Sequence, residues 1–310
     1  MICCAMLAFA PQGRDMDTRL NEYLEESRRL IDAHIDQTLP PPSMHPKPLY
    51  QAMRYCVLNG GKRLRAILTL MVSRMLNAPD EAALAPALAV ELIHCSSLAI
   101  DDLPCMDDAE LRRGKPALHK VFPEGISLMA ADALMNMSFE LISDPAYLIP
   151  DDVAVKMIGL LADTIGPHGM VGGQAADLQS GPDSSFANLR YTHMNKTAAL
   201  FVTAARLGVL AGNGTSADDA RISGYARAIG IAFQIVDDIL DLTGDVALLG
   251  KQPGIDQQRG RMTFVNYYGL NKARRIAENS INWATNGLAT YGDRAWTLRA
   301  LAHYILERDR

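Results

Sequence analysis

This 310-residue sequence is poor in aromatic side chains (6%) and has only two tryptophans. It also lacks a surplus of positive charge: 30 Lys and Arg stand against 35 Asp and Glu, a formal net charge of −5. A general nucleic-acid binder normally carries a basic excess, so the charge balance speaks against that class. The five cysteines are Cys3, Cys4, Cys56, Cys95 and Cys105. Their odd number and spacing fit neither a zinc ligand set nor a disulfide framework. Reduced thiols in a cytoplasmic protein are the simplest reading. No stretch reaches 18 consecutive apolar residues, so no transmembrane helix is expected. The opening MICCAMLAFA is apolar but lacks the basic flank of a signal peptide. Nowhere is period-2 alternation with β-branched enrichment sustained.

What is present is one helical pattern after another. Apolar residues at Leu20, Tyr23, Leu24, Leu30, Ile31 and Ile35 recur at helical spacing over 17–38, and Pro40, Pro41 and Pro42 end that helix. Further helices are predicted over 48–59, 62–77, 80–100, 126–142, 151–165, 168–179, 186–211, 216–241, 270–289 and 293–308. Gly/Pro/Asp/Ser clusters between them are short, so none reads as a domain linker. Length alone suggests about two domains, but the pattern gives one large all-α domain over 16–310. Residues 1–15 are read as an extension ahead of it.

Two acidic clusters stand out. Asp101-Asp102 is followed by Asp107-Asp108, and Asp237-Asp238 by Asp241; each follows a strongly apolar helical run. Asp237 and Asp241 are four apart and share a helix face. Pro104 and the longer spacing of the first cluster should let Asp107 curl back toward Asp101. Like charges this close raise one another's pKa, so a cation is expected between them. Mg²⁺ typically takes one or two carboxylates together with substrate phosphates and water. A single acidic triplet reads as a solvated helix end, but two copies on core-type helices do not. Cations lie nearby: Lys62, Arg63 and Arg65 behind Gly60-Gly61, Arg112 and Arg113 after the first cluster, Lys196 inside a helix, and Lys251 after the second cluster. In a net-acidic chain this local placement suits a phosphate ligand bridged by metal.

The stretches GGKRLR (60–65), ELIHCSSLAIDDLPCMDDAELRRGKPALHK (91–120), GGQAADL (172–178), Lys196-Thr197, GIAFQIVDDILDLTGD (230–245), LGKQPGIDQQ (249–258) and LRALAHYILERDR (298–310) together resemble the trans-isoprenyl diphosphate synthases of the farnesyl/geranylgeranyl diphosphate synthase type. The resemblance implies about ten or more helices around a deep central cavity, usually in a homodimer. It implies that Asp101, Asp102, Asp107, Asp237, Asp238 and Asp241 hold three Mg²⁺ (Mn²⁺ being an alternative ion) on an allylic diphosphate, Asp238 and Asp241 less directly than Asp237. By the same resemblance Arg112, Lys196 and Lys251 bind that diphosphate, while Lys62, Arg65, His94 and Arg113 match the isopentenyl diphosphate site. Thr197, Phe233 and Gln234 match residues around the reacting carbons, and Asp108 stands behind the metal ligands. The catalytic set is thus Asp101, Asp102, Lys196, Thr197, Gln234 and Asp237. Ala66 and Ala131 stand where the family often has proline and glycine. Arg261, counted with the substrate-binding residues, stands where it often has lysine.

The implied reaction is head-to-tail condensation of isopentenyl diphosphate with dimethylallyl, geranyl or farnesyl diphosphate, releasing pyrophosphate. Metal with Arg and Lys would neutralise the leaving group, and an apolar cavity would keep water from the allylic cation. No side-chain nucleophile is needed. Ser96, five residues before Asp101, and Ser97 are small where short-product enzymes of the family commonly carry an aromatic floor. A twenty-carbon geranylgeranyl product is therefore expected, with fifteen-carbon farnesyl diphosphate as the competing reading. Met129, Leu134, Met135, Met137 and Phe139 on the next helix are candidates for a deeper floor. A non-catalytic partner subunit, a terpene cyclase and a calcium-binding or structural helical protein are the rival classes, the last leaving the basic clusters unexplained. Both aspartate motifs are intact, and the Lys62/Arg65 set is present.

Overall fold

Alanine and leucine fill the long apolar runs, and they set how closely the helices approach one another. The computed structural model describes residues 13–181, 184–243 and 262–308. Helices α1 (Gly13–Thr38), α2 (Lys47–Leu58), α3 (Leu64–Met75) and α4 (Asp80–Asp101) come first. A two-residue ribbon, β1 (Leu111–Arg112) with β2 (Lys115–Pro116), precedes α5 (Leu118–Val121) and α6 (Glu124–Ser143). Then follow α7 (Asp151–Ile165), α8 (Met170–Leu178), α9 (Phe186–Thr192), a π-helical turn (His193–Ala198) and α10 (Ala199–Ala211). Next are α11 (Ser216–Thr243), α12 (Phe264–Tyr268), α13 (Leu270–Asn286) and α14 (Trp296–Glu307). The all-α class predicted from periodicity is the observed one. The ribbon, α5, α12 and the π turn were not predicted, and α1 begins at Gly13, ahead of the expected start near Asp17.

The core forms where α4 meets α3, α6 and α10, and where α11 meets α10 and α13. Helix α4 is apolar on most of its circumference, which marks a helix largely surrounded by protein. Its Leu88, Leu92, Ile93 and Cys95 are buried. Helix α6 meets it through small residues, Ser127, Ala130, Ala131 and Ser138, which let the two backbones draw close. Both helices have the length and hydropathy of a membrane span, although neither contains 18 uninterrupted apolar residues. In α4 that stretch is 78% buried inside the bundle, and in α6 only 39%. Leu128 and Met129 of α6 are exposed, as are Leu148 and Val155 beside and on α7.

Arg63, grouped above with Lys62 and Arg65, belongs to the fold. Its guanidinium is buried. It donates to Asp32 Oδ1 (2.8 Å), to Glu91 Oε1 (3.0 Å) and to the Val57 carbonyl (2.6 Å), joining α1, α2 and α4 at the start of α3. Those carboxylates hold its pKa up against burial.

Candidate active site

The first acidic cluster begins where α4 stops. After Asp102 the chain turns over Pro104, and the Asp107 amide donates to the Asp101 carbonyl (2.8 Å). The Asp108 and Ala109 amides donate to Leu103 (3.0 Å) and Asp102 (3.1 Å). The predicted return of Asp107 to Asp101 is thus fixed by backbone hydrogen bonds. Asp101 is mostly buried, and its pKa is pushed up to about 6, chiefly by desolvation and also by Asp107; Lys196 acts the other way. A carboxyl so placed is short of a cation.

The ribbon then brings the arginines back. Arg113 (φ 55°) and Gly114 (φ 75°) form its two-residue turn, whose backbone twist suits a tight hairpin. Arg112 forks onto Asp102, its Nε lying 3.2 and 3.0 Å from the two carboxylate oxygens and its Nη2 also bonding Oδ1. Asp102 is buried beneath that fork. Asp101 and Asp102, both expected to hold metal, are thus placed differently: Asp102 is bound to Arg112, whereas Asp101 lies in the field of Lys196. Arg113 donates to the Gly60 carbonyl and lies against Gly61 (φ 128°), where a Cβ would come within 2.6 Å of its guanidinium carbon. Asp108 meets Lys120 (3.4 Å) and His119 (3.5 Å), and Lys120 also pairs with Glu110 (2.7 Å).

Basic residues at the start of α3 and His94 of α4 form a further group. Lys62 is exposed, with its Nζ 5.7 Å from the Tyr304 ring. The Arg65 guanidinium sits 4.5 Å over Phe201, and its Nη1 is 3.4 Å from His94 Nε2. Burial pushes the Arg65 pKa down to about 10. His94 is held well below the usual histidine range by burial and by Arg65, Arg113 and Arg112, so it is neutral. A neutral imidazole can accept from Arg65 at Nε2 while Nδ1–H remains a donor.

Helix α11 carries the second cluster. Phe233, Gln234 and Asp237 are half-buried on one face, whereas Asp238 and Asp241 are buried. Asp238 accepts from Gln234 Nε2 (3.0 Å) and from the Phe264 amide (2.9 Å), so it ties α11 to α12. Asp237 Oδ1 pairs with Arg308 (2.6 Å), past the last residue of α14. Thr197 donates to Gln234 Oε1 (2.8 Å), and Lys196 pairs with Asp177 (2.7 Å). Both Lys196 and Thr197 stand on the π turn. Gly173 of α8 presses on that turn: a Cβ there would collide with the Lys196 backbone nitrogen and the Asn195 side chain. Asp177, His193, Lys196, Thr197 and Gln234 border a cavity of about 80 Å³. His193 stacks on Phe264 with centroids 5.2 Å apart, and burial drops its pKa to about 4.

Ser96 and Ser97 part company. Ser97 is half-buried on the His94–Asp101 face, and Ser96 is fully enclosed. Successive helix residues turn by 100°, so four positions back from Asp101 stays on its face and five does not. Of the second-floor candidates, Leu134 is buried in the core, Met129 is exposed, and Met135, Met137 and Phe139 are half-buried. Lys251 and Arg261 lie outside the described residues. Four functional neighbours were missed in the sequence: Asp177, Phe201, His193 and Arg308. Asp177 and Arg308 lie within motifs quoted above but had no role.

Among the described residues no three carboxylates, histidines or cysteines converge as a ready-made metal centre. The acids sit instead at the end of α4 and along α11, an all-oxygen donor set. Asp101 with Asp107, and Asp237, suit a hard divalent ion that takes its remaining ligands from diphosphate and water.

The polyprenyl synthetase family model matches residues 46–288. Putative geranylgeranyl pyrophosphate synthase 8, chloroplastic, of Arabidopsis thaliana is 39% identical over 305 residues, 95% of this chain and 84% of that protein. A dimethylallyltranstransferase of Fischerella ambigua is 38% identical over 291 residues, 93% of this chain and 84% of its own length. An FPP/GFPP synthase from Zymomonas mobilis superposes with a TM-score of 0.81 at 35% identity, over 94% of this chain and 99% of that one. The geranylgeranyl pyrophosphate synthetase of Pyrococcus horikoshii gives 0.83 at 29% identity over the same shares. With its own motifs carried on the same helical frame, this chain belongs to the polyprenyl synthetase family.

Proposed function

We propose that the protein joins isopentenyl diphosphate head-to-tail to an allylic diphosphate, releasing pyrophosphate, and that its main product is geranylgeranyl diphosphate. The observation that carries this reading is Asp101: a largely buried carboxyl with a raised pKa, beside Asp107 and facing the field of Lys196. Geranylgeranyl synthases among the relatives support the chain length, as does the small Ser97 on the Asp101 face.

Asp101, Asp107 and Asp237 would hold Mg²⁺, which when bound neutralises the charge developing on the leaving diphosphate. Lys196 and Arg112, now paired with Asp177 and Asp102, supply the cationic contacts to that diphosphate. Lys62, Arg65 and Arg113 bind isopentenyl diphosphate, with neutral His94 as a further donor. Phe201 and Phe233, 5.2 Å apart, offer aromatic faces to the allylic cation and exclude water. The chain Thr197 to Gln234 to Asp238 fixes the Thr197 hydroxyl hydrogen, leaving its oxygen lone pairs for the reacting centre. The proton lost from the isopentenyl unit goes to the departing pyrophosphate. The exposed apolar side chains Leu128, Met129 and Val155 on α6 and α7 support a homodimer paired through this face.

The test is a product assay with Mg²⁺, isopentenyl diphosphate and each of the dimethylallyl, geranyl and farnesyl starters, read by mass spectrometry. Twenty-carbon product from all three is expected, and Ser97→Phe should shorten it. Arrest at fifteen carbons would move the floor to Met137 and Phe139 on α6. No elongation by folded protein would overturn the reading in favour of a partner subunit.

A further inference from the structure

The C-terminal end of the described chain reaches into the site through one side chain. Arg308 follows the last residue of α14, and its backbone amide still donates to the Tyr304 carbonyl (3.1 Å). Its side chain is only 4% exposed, whereas that of Asp237 is 42% exposed. Nη2 donates both to Asp237 Oδ1 (2.6 Å) and to the Phe233 carbonyl (2.7 Å), and the guanidinium carbon lies 3.6 Å over the Phe233 ring. One arginine thus covers the open carboxylate of the second acidic cluster and the aromatic face four residues before it.

This seat is incomplete. Arg308 Nε is buried and has no hydrogen-bond partner among the described residues, and an unmet buried donor is unfavourable. The guanidinium is held by the least buried carboxylate of the second acidic cluster. A divalent ion on Asp237 would be a second positive centre within a few ångströms of it, in a partly desolvated place where repulsion is strong. The two cations would therefore compete for this carboxylate.

We propose that Arg308 occupies the cation position of Asp237 until metal and diphosphate arrive, so that metal uptake and release of this arginine are one linked step. The inference rests on the proposed metal role of Asp237. Release requires only the final turn of α14 to open, because Arg308 is bound to that helix through one backbone hydrogen bond. Opening also frees the Phe233 ring, making it available to the reacting chain in the same step. The neighbouring turn carries Tyr304, which faces Lys62 of the isopentenyl diphosphate site, so the release is felt on both substrate sides.

The test is Mn²⁺ binding by the full chain, followed by the electron paramagnetic resonance signal of the free ion at fixed inorganic pyrophosphate. Wild type, Arg308→Gln, Asp237→Asn and the double variant are compared, together with a chain ending at Glu307. Arg308→Gln and the shortened chain should bind one Mn²⁺ about fivefold tighter or more, the lower edge of ordinary site-to-site coupling. That gain should vanish on the Asp237→Asn background. Unchanged or weaker Mn²⁺ binding in both Arg308 variants, with Asp237→Asn still reducing it, overturns the exchange. Mn²⁺ binding insensitive to Asp237→Asn would instead remove the metal role of Asp237, and this inference with it.

Discussion

The two aspartate clusters look alike in sequence, yet they are built in different ways. The first lies on a helix end and the loop beyond it, where backbone hydrogen bonds fold Asp107 onto Asp101. The second lies inside α11, where helix geometry alone sets the spacing. In each, one of the adjacent pair is less buried than its neighbour, and that neighbour is enclosed and bonded within the fold: Asp102 by Arg112, and Asp238 by Gln234 and the Phe264 amide. The lesson is that the two members of a doubled aspartate are not equivalent here: one is an anchor within the fold, and the other is left for the proposed ligand role. Adjacent helix residues point about 100° apart, which sends the two carboxylates toward different surroundings.

Breaking the less buried member of the first cluster's pair should have the largest effect. Asp101→Ala is expected to lower turnover about a thousandfold, the scale for losing one preorganised electrostatic group, while circular dichroism and the melting transition show an intact fold. Breaking an anchor should act on stability as well. Asp238→Ala leaves the Phe264 amide and Gln234 without their acceptor, and about 2–3 kcal/mol of loss in urea unfolding is expected from those orphaned groups. A variant as stable as wild type would mean that α12 does not depend on this contact.

The smallest effect sharpens the comparison through pH. The folded-state pKa of Asp101 is about 6, above its unfolded value of about 4. Folding therefore favours the protonated form. The stability this gives the metal-free protein is complete below about pH 4 and is lost as pH rises through about 6. The urea midpoint should fall over that window. Asp101→Asn, which cannot ionise, should flatten its share of the slope; an unchanged slope would rule out Asp101 as its source.

Much of this was legible in the sequence, because apolar periodicity is a property of the chain itself. The long helices followed from it, and the return of Asp107 followed from Pro104 and spacing. What was not legible depends on partners far apart in sequence. Arg63 reads as one more cation in GGKRLR, and only the fold brings Asp32 and Glu91 to it. Arg308 reads as a charged chain end until α14 sets it beside α11. Ser96 and Ser97 are neighbouring small residues in the sequence, while rotation about the helix axis separates them. The ribbon strands are two residues long, too short for any period to register. The described segments also stop at Thr243 and resume at Met262, so Lys251 and Arg261 remain expectations of the motif.

The π turn at His193–Ala198 has a consequence of phase. Such a turn holds one residue more than an α-helix needs over the same rise, so α9 and α10 are out of step by about a quarter of a revolution along one nearly continuous rod. Lys196 and Thr197 sit at that slip. Removing a single residue from the turn would bring the rod back into step and rotate one half of it relative to the other. Either Lys196 would leave Asp177 or the apolar face of α10 would leave the core. A one-residue deletion here would therefore be felt along the whole rod, while a deletion of the same size in an exposed loop would stay local.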